Sequence, residues 1–126
     1  MNDEVKNNDI GRRDLRKRTK LFALRIIKLY ASLPKSTEAQ VIGKQVLRSG
    51  TSVGAHYREA KRARSTAEFI SKIEGALQEL DETIYWLELL TESGIVPQAR
   101  LTNLKSEAEE LMKMLVSSAK TAKKHK

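Results

Sequence analysis

Cysteine is absent from the 126-residue chain, and proline, glycine and aromatic residues are scarce. Without cysteine, the chain has no disulfide, no thiolate metal ligand and no cysteine nucleophile. Only two histidines are present, one of them next to the C-terminus, so a zinc site built from histidine is not expected. Two prolines, six glycines and 5% aromatic residues argue against a β-sandwich or barrel and favour a helical protein.

Long hydrophobic runs are also missing. No apolar stretch approaches the length of a membrane span, and the polar N-terminus lacks the apolar core of a signal peptide. We therefore expect a cytoplasmic protein with no membrane partner. The length predicts one domain with a single core.

The charge is abundant and unevenly distributed. The chain has 24 basic and 16 acidic residues, for a net charge of +8, yet residues 65–95 carry seven acidic residues and one basic residue. A basic surface favours phosphate backbones, whereas an acidic face suits a basic neighbour such as a second copy of the chain. The alternative is that these charges only solubilise the surface.

The apolar periodicity predicts four helices. Thr37 with Gln40, and Ser65 with Glu68, have capping-box spacing, and Gly94 suits the end of a helix. Short connections predict that neighbouring helices run antiparallel, so the expected fold is all-α, an antiparallel up-and-down four-helix bundle. The expected helices run from about Asp14 to Ser32, from Thr37 to about Arg62, from Ser65 to Gly94, and from Pro97 to about Lys120. The bundle thus covers residues 14–120, with a flexible basic arm at 1–13 and a disordered lysine-rich tail at 121–126.

The second helix carries three distinct faces. Its core face contains Ile42, Val46, Val53 and Ala60, and the opposite face is a basic stripe. A third flank contains three glycines, which predicts close approach of another helix backbone. The alternative is a loop or kink at residues 49–52. The basic stripe consists of Lys44, Arg48, Arg58 and Arg62, and the glycine flank of Gly43, Gly50 and Gly54.

The third helix is apolar on two sides in its C-terminal half. Tyr85 and Leu89 lie roughly opposite the core direction, and Trp86 is beside them. Such a helix has something packed on both sides, which predicts an oligomer interface at Tyr85, Trp86 and Leu89. Gly50 and Gly54 are candidates for a second contact between copies. Alternatively, helix 1 or the N-terminal arm covers the patch.

Catalytic patterns are weak, so we expect no enzyme, no metal and no cofactor. His56 near Ser49 and Ser52 could form a nucleophile and base pair, but a partly buried, hydrogen-bonded histidine is far more common. The carboxylates Glu79, Asp81 and Glu82 are close in sequence, yet the Glu-x-x-His motif of bundle metal sites is absent.

The remaining signal is binding through basic residues. Arginines at a helix end and on an arm suit phosphate contacts, and aromatic residues for stacking single strands are not interleaved among them. The sequence therefore predicts nucleic-acid binding that depends on charge and reads little sequence. The predicted contacts are Lys44, Arg48, Arg58, Lys61, Arg62 and Arg64, with Arg12, Arg13, Arg16, Lys17 and Arg18 on the arm and the start of helix 1.

One stretch resembles a known family. Residues 47–60, LRSGTSVGAHYREA, closely resemble the signature of the proteins encoded in intervening sequences of bacterial 23S ribosomal RNA genes. The match continues through Phe69, Ile73 and Glu79 to residues 85–90, YWLELL. At His56 many relatives carry asparagine.

The resemblance implies a four-helix bundle that assembles into a ring, often a pentamer. A related branch serves as the accessory protein of diversity-generating retroelements, where it binds a reverse transcriptase and nucleic acid. The resemblance also implies a structural polar cluster of Arg48, Ser52, Glu59 and Glu79, and no catalytic residue.

Two hypotheses follow. The first is an oligomeric accessory protein that binds nucleic acid, RNA rather than DNA, and that assists a reverse transcriptase or is associated with rRNA intervening sequences. The second is a protein–protein interaction scaffold whose basic face docks an acidic partner.

Overall fold

The computed structural model describes the backbone of residues 3–125 and the side chains of residues 15–125. Within these limits all regular structure is helical and there is no strand, which confirms the predicted all-α four-helix bundle. The helices are α1 (Asp3–Ser32), α2 (Thr37–Lys61), α3 (Thr66–Glu92) and α4 (Gln98–Lys124). None of the described helices has a stretch long and apolar enough to cross a membrane.

Contacts between helices establish that each adjacent pair runs antiparallel. Along α2, Gly43 lies against Tyr30 and Gly54 lies against Thr19, so α1 runs in the opposite direction. The same reversed order appears in the three other adjacent pairs. Helices α2 and α3 are joined by Arg48–Glu79 and Lys72–Glu59, and α3 and α4 by Lys105–Glu88 and Lys123–Glu74. Helices α1 and α4 are joined by Arg18–Glu107 and Arg100–Ser32. The bundle is therefore up-and-down.

The core lies along the axis of the bundle and receives one apolar face from each helix. Phe22, Val46, Leu80 and Leu111 are fully buried, one from each helix in turn. Ile42, which the wheel of the second helix places in the core, is only half-buried at its margin. Burial of these faces is the main stabilising term, because most of the stability of helices in proteins comes from packing of an apolar face rather than from helix propensity.

Helix ends follow local capping chemistry. Ser65 caps α3 by accepting a hydrogen bond from the Glu68 amide, as its capping-box pattern predicts. Helix α2 is capped by Ser36, one residue before the predicted Thr37. Gly94 has a φ of +80°, a left-handed conformation that glycine adopts without strain, and it terminates α3.

The two outer boundaries differ from the prediction. Helix α1 begins at Asp3 rather than near Asp14, and α4 continues to Lys124 rather than ending near Lys120. The side chains of residues 1–14 lie outside those described, as does Lys126. The predicted flexibility of the arm and tail stays a prediction.

The glycine flank of α2 packs inside the chain. The helix is uninterrupted through residues 49–52, and Gly50 and Gly54 are buried against Ile26 and Thr19 of α1. The predicted close approach of another helix is thus confirmed, and that helix is α1. Because this flank is already covered by α1, Gly50 and Gly54 are not available for a second contact between copies.

Candidate nucleic-acid interface

Five basic side chains near the outer face and C-terminal end of α2 form the core of the candidate interface. Lys44, Lys61 and Arg62 are exposed, Arg58 is half-buried, and Arg64 is exposed in the turn before α3. None of the five makes a salt bridge with any side chain between residues 15 and 125. We call them the α2 basic surface.

Arg48 is positioned differently from the rest of the stripe. Its guanidinium donates to Glu79 at 3.0 Å and to Glu82 at 3.2 Å, across the α2–α3 contact. The hydrogen bond to Glu82 and the charge of Glu79 raise the pKa of Arg48 above its ordinary value. Arg48 thus joins two helices, and two of its guanidinium nitrogens already donate to carboxylates.

The basic residues at the start of α1 also separate into two groups. Arg16 and Lys17 are exposed, whereas Arg18 makes a two-pronged contact with Glu107 of α4, at 2.7 and 3.0 Å. The Thr19–Gly54 contact sets the register of α1 and α2, so Arg16 lies at the same level of the bundle as Arg58. Arg16 thus extends the α2 basic surface onto α1, while Arg18 is a structural residue. Arg12 and Arg13 lie outside the described side chains.

The polar cluster implied by the family resemblance is split in two. Arg48 contacts Glu79, and Ser52 donates to the Arg48 carbonyl at 2.7 Å. Glu59 lies farther along α2 and instead pairs with Lys72 of α3 at 3.4 Å. Both groups therefore join α2 to α3 at different levels.

The serines near His56 are occupied by structural hydrogen bonds. Ser49 is buried, donates to the Gln45 carbonyl and accepts from Thr83 at 2.8 Å, and Ser52 bonds to its own helix. The His56 ring packs over Gly75, with its Nδ1 3.6 Å from a Glu59 carboxylate oxygen. Neither serine hydroxyl bonds to His56 among the described residues. In that same part of the chain, no three acidic or histidine side chains are grouped as a metal site.

Exposed apolar residues form two surfaces on opposite sides of the molecule. The α1 stripe consists of Leu21, Leu24 and Ile27, each about half exposed. The α2–α3 patch consists of Val41, Tyr85, Trp86 and Leu89. Of these, Val41 and Tyr85 are more than half exposed, and the Tyr85 and Trp86 rings meet edge to face at 5.1 Å.

The register of the Arg48–Glu82 pair places Val41 in the α2–α3 patch. Val41 lies two turns before Arg48 on the same side of α2, and Leu89 lies two turns after Glu82 on α3. Because the two helices are antiparallel, the turn of α2 that contains Val41 lies beside the turn of α3 that contains Leu89. The alternative that helix 1 covers this patch is wrong, since the described parts of α1 and α3 do not touch and Tyr85 remains exposed.

The two apolar surfaces carry opposite charge. Residues 15–32 of α1 contain six basic and no acidic residues, whereas α3 contains seven acidic residues and one basic residue. Three exposed lysines lie beside the α1 stripe: Lys17, Lys20 and Lys28. Two exposed carboxylates, Asp81 and Glu92, lie beside Tyr85. None of these five has an ion-pair partner among residues 15–125.

The α1 stripe is the feature that sequence reasoning missed. Leu21, Leu24 and Ile27 lie away from the buried side formed by Leu15, Phe22 and Ile26, although all six are apolar. A helical wheel of α1 shows this second apolar side, as the wheel of helix 3 did for Tyr85 and Leu89.

Comparison with known proteins identifies the family. Residues 13–117 match the 23S rRNA-intervening sequence proteins, and the chain belongs to this family. A solved structure of a protein of unknown function from the S23 ribosomal protein family of Bacteroides thetaiotaomicron is similar to it. The two sequences are 39% identical over 87% of this chain and 98% of the other, with a TM-score of 0.83. No curated protein matches the chain.

Proposed function

We propose that this protein is a non-enzymatic accessory protein that binds RNA through the α2 basic surface and acts as an oligomer. The observation that carries the proposal is that the charged side-chain groups of five residues form no salt bridge with a described carboxylate: Lys44, Arg58, Lys61, Arg62 and Arg64. Other basic residues of the bundle, such as Arg18 and Arg48, are held by carboxylates. Cations without such partners are free to contact phosphate.

The mode of binding follows from the chemistry of these residues. Arginine binds phosphate through two parallel hydrogen bonds, and lysine acts as a point charge. The surface presents cations and no row of exposed aromatic rings within residues 15–125, so it contacts the backbone and reads little sequence. The preference for RNA over DNA rests on the ribosomal RNA in the family's name.

Self-association would repeat this surface in every subunit. Several weak phosphate contacts then add through multivalency, so a ring would bind RNA more tightly than one chain does. The opposite charges of the α1 stripe and the α2–α3 patch support head-to-tail contact between copies. The pentamer implied by the family resemblance is one closed form that such a contact can build.

The proposal also names the cellular setting in which the protein binds RNA. We place the protein with RNA of the rRNA intervening sequences named by its family, and a reverse transcriptase is the second candidate partner. Genomic position separates the two settings, because the gene lies within a ribosomal RNA gene in one and beside a reverse transcriptase gene in the other.

The test is reversal of charge at two cations. We expect Arg58→Glu with Arg62→Glu to weaken binding of a single-stranded RNA and to reduce the salt dependence of log K by about 0.7 for each lost phosphate contact. Fluorescence anisotropy at several salt concentrations measures both. The matched control is Lys35→Glu with Arg100→Glu, which changes the net charge equally at the opposite end of the bundle.

The outcomes separate the hypotheses. Equal loss in both double variants would mean that only net charge matters and would contradict this interface. No RNA or DNA binding by the wild type at low salt would favour the alternative, a scaffold whose basic face docks an acidic protein. Far-UV circular dichroism checks that both variants retain the helical fold.

A further inference from the structure

A cavity of about 670 Å³ lies at the end of the bundle where α2 ends, α3 begins and α4 ends. Its volume is within the range of small-molecule binding sites, which is about 300–1,000 Å³. All four helices contribute to its wall. Its apolar part is formed by Leu15, Tyr57, Phe69 and Met114.

The charged part of the wall has one sign. Lys61, Arg64 and Lys113 line the cavity, and no carboxylate does so among the described residues. These three side chains have no ion-pair partner within residues 15–125. Thr66, Ser117 and Thr121 add hydroxyl groups to the same wall. Cations and hydroxyls together suit the oxygens of a phosphate group.

The aromatic part of the wall suits a flat apolar ligand. Tyr57 is buried and Phe69 is half-buried, so their rings belong to the wall rather than to the open surface. A ligand that combines a flat ring with a phosphate would use both parts of the cavity. A nucleotide has this combination, and bases stack on aromatic side chains irrespective of sequence.

The cavity also adjoins the proposed RNA surface. Lys61 and Arg64 belong to both, and Arg62 lies between them in the chain. From this continuity we infer that the cavity takes one unstacked nucleotide of the bound RNA, with its base against the apolar wall and its phosphate at Lys61, Arg64 and Lys113. This inference rests on the proposed function and adds a stacking contact to a surface otherwise made of charge.

The test fills the cavity without changing charge. Ser117→Trp adds a bulky side chain at an exposed serine that lines the cavity, and Ser106→Trp is the matched control at an exposed serine of α4 outside it. The probes are adenosine 5′-monophosphate, followed by isothermal titration calorimetry, and a 12-nucleotide single-stranded RNA, followed by anisotropy. We expect Ser117→Trp to weaken both by about tenfold or more, the loss of one stacked base, and to reduce the salt dependence of log K for the RNA by at most about 0.7, the loss of one phosphate contact. We expect Ser106→Trp to bind both probes like the wild type.

A second variant keeps the test valid if Ser117→Trp does not fold. Lys113 is exposed, so Lys113→Gln should fold and should weaken the monophosphate at least several-fold while leaving binding of unphosphorylated adenosine unchanged. Equal binding of the monophosphate by wild type and both variants would overturn the inference.

The remaining outcomes separate this inference from the proposed function. If Ser117→Trp binds RNA like the wild type, the cavity does not hold an RNA nucleotide, although the α2 basic surface can still bind RNA. If the wild type binds the monophosphate but no RNA, the proposed function fails and the assignment of the cavity to RNA fails with it. Displacement of the monophosphate by a simple fatty acid such as laurate, with no effect of Lys113→Gln, would identify an apolar site instead.

Discussion

Gly50 is a residue at which α1 and α2 pack too closely to leave space for a side chain. A Cβ at this position would lie 2.7 Å from Ile26 Cγ1 and 3.0 Å from Ile26 Cγ2. Overpacking of this kind costs about 1–3 kcal/mol, and the better helix propensity of alanine offsets about 1 kcal/mol. We expect Gly50→Ala to lower the free energy of unfolding by about 1 kcal/mol, as measured by urea denaturation at one fixed protein concentration.

A double-mutant cycle with Ile26 identifies the cause. Ile26→Ala removes the atoms that the new methyl group would meet, so it should be less destabilising in the Gly50→Ala background than in the wild type. Additive effects would mean that the two residues do not interact, and the loss at Gly50 would then need another explanation.

Variants of Arg48 and Arg62 test whether each side chain stabilises the fold or contacts RNA. The Arg48 guanidinium is about half exposed and is held by Glu79 and Glu82, whereas Arg62 has no acidic partner in the described part of the chain. We expect Arg48→Gln to lower stability by about 0.2–1 kcal/mol, the range for exposed ion pairs, with little change in RNA affinity. Arg62→Gln should leave stability nearly unchanged and should weaken RNA binding. Thermal unfolding and anisotropy distinguish the two, and loss of RNA binding in Arg48→Gln alone would contradict the assignment.

At the scale of elements, the start of α2 depends on one hydroxyl group. Ser36 accepts a hydrogen bond from the Ala39 amide, and no such bond from Thr37 is present among the described residues. We expect Ser36→Ala to destabilise the protein by about 0.5–1 kcal/mol and Thr37→Ala to have a smaller effect. Chemical denaturation of the two variants compares them directly, and a larger loss at Thr37 would restore the capping box as the sequence predicts it.

The same turn shows why capping patterns predict helices better than they predict caps. Both Ser36 and Thr37 can cap a helix, and the spacing to Gln40 favours Thr37. In the structure Gln40 instead accepts from the Tyr30 hydroxyl and donates to the Pro34 carbonyl, so it stabilises the α1–α2 connection. At α3, Ser65 has the capping-box spacing to Glu68 and is the observed cap, so that prediction is confirmed. Periodicity thus predicts that a helix exists, while tertiary contacts choose its first residue.

The candidate site was predictable only in part, because pairing is a property of the whole molecule. The wheel of α2 places Lys44, Arg48, Arg58 and Arg62 together, and that placement needs no knowledge of other helices. That Arg48 meets Glu79 and Glu82 depends on the register of α2 against α3, which no local pattern specifies. The cavity at Lys61 and Arg64 likewise forms only where all four helices meet.

The diagonal placement of α1 and α3 gives the whole molecule two unlike faces. Each face has an exposed apolar surface, and the surfaces are flanked by charges of opposite sign, with Lys17 and Lys28 on α1 and Asp81 and Glu92 on α3. Like charges on identical faces would repel, so pairing of a face with itself is disfavoured. Contact between unlike faces leaves one face free on each copy, and assembly continues until a ring closes or a filament forms.

Mixing two variants tests this head-to-tail contact. We expect Leu24→Asp, in the α1 stripe, and Tyr85→Lys, in the α2–α3 patch, each to be monomeric, because each loses one half of every contact. A mixture of the two should form a dimer and nothing larger, since only one intact pair of faces remains between them. Analytical ultracentrifugation at micromolar concentration measures the masses, with Thr102→Asp, at an exposed threonine of α4, as the control that should assemble like the wild type. If either variant alone stays dimeric, that copy pairs through its unmodified face and the contact is symmetric rather than head-to-tail. If both variants assemble like the wild type, neither apolar surface lies between copies.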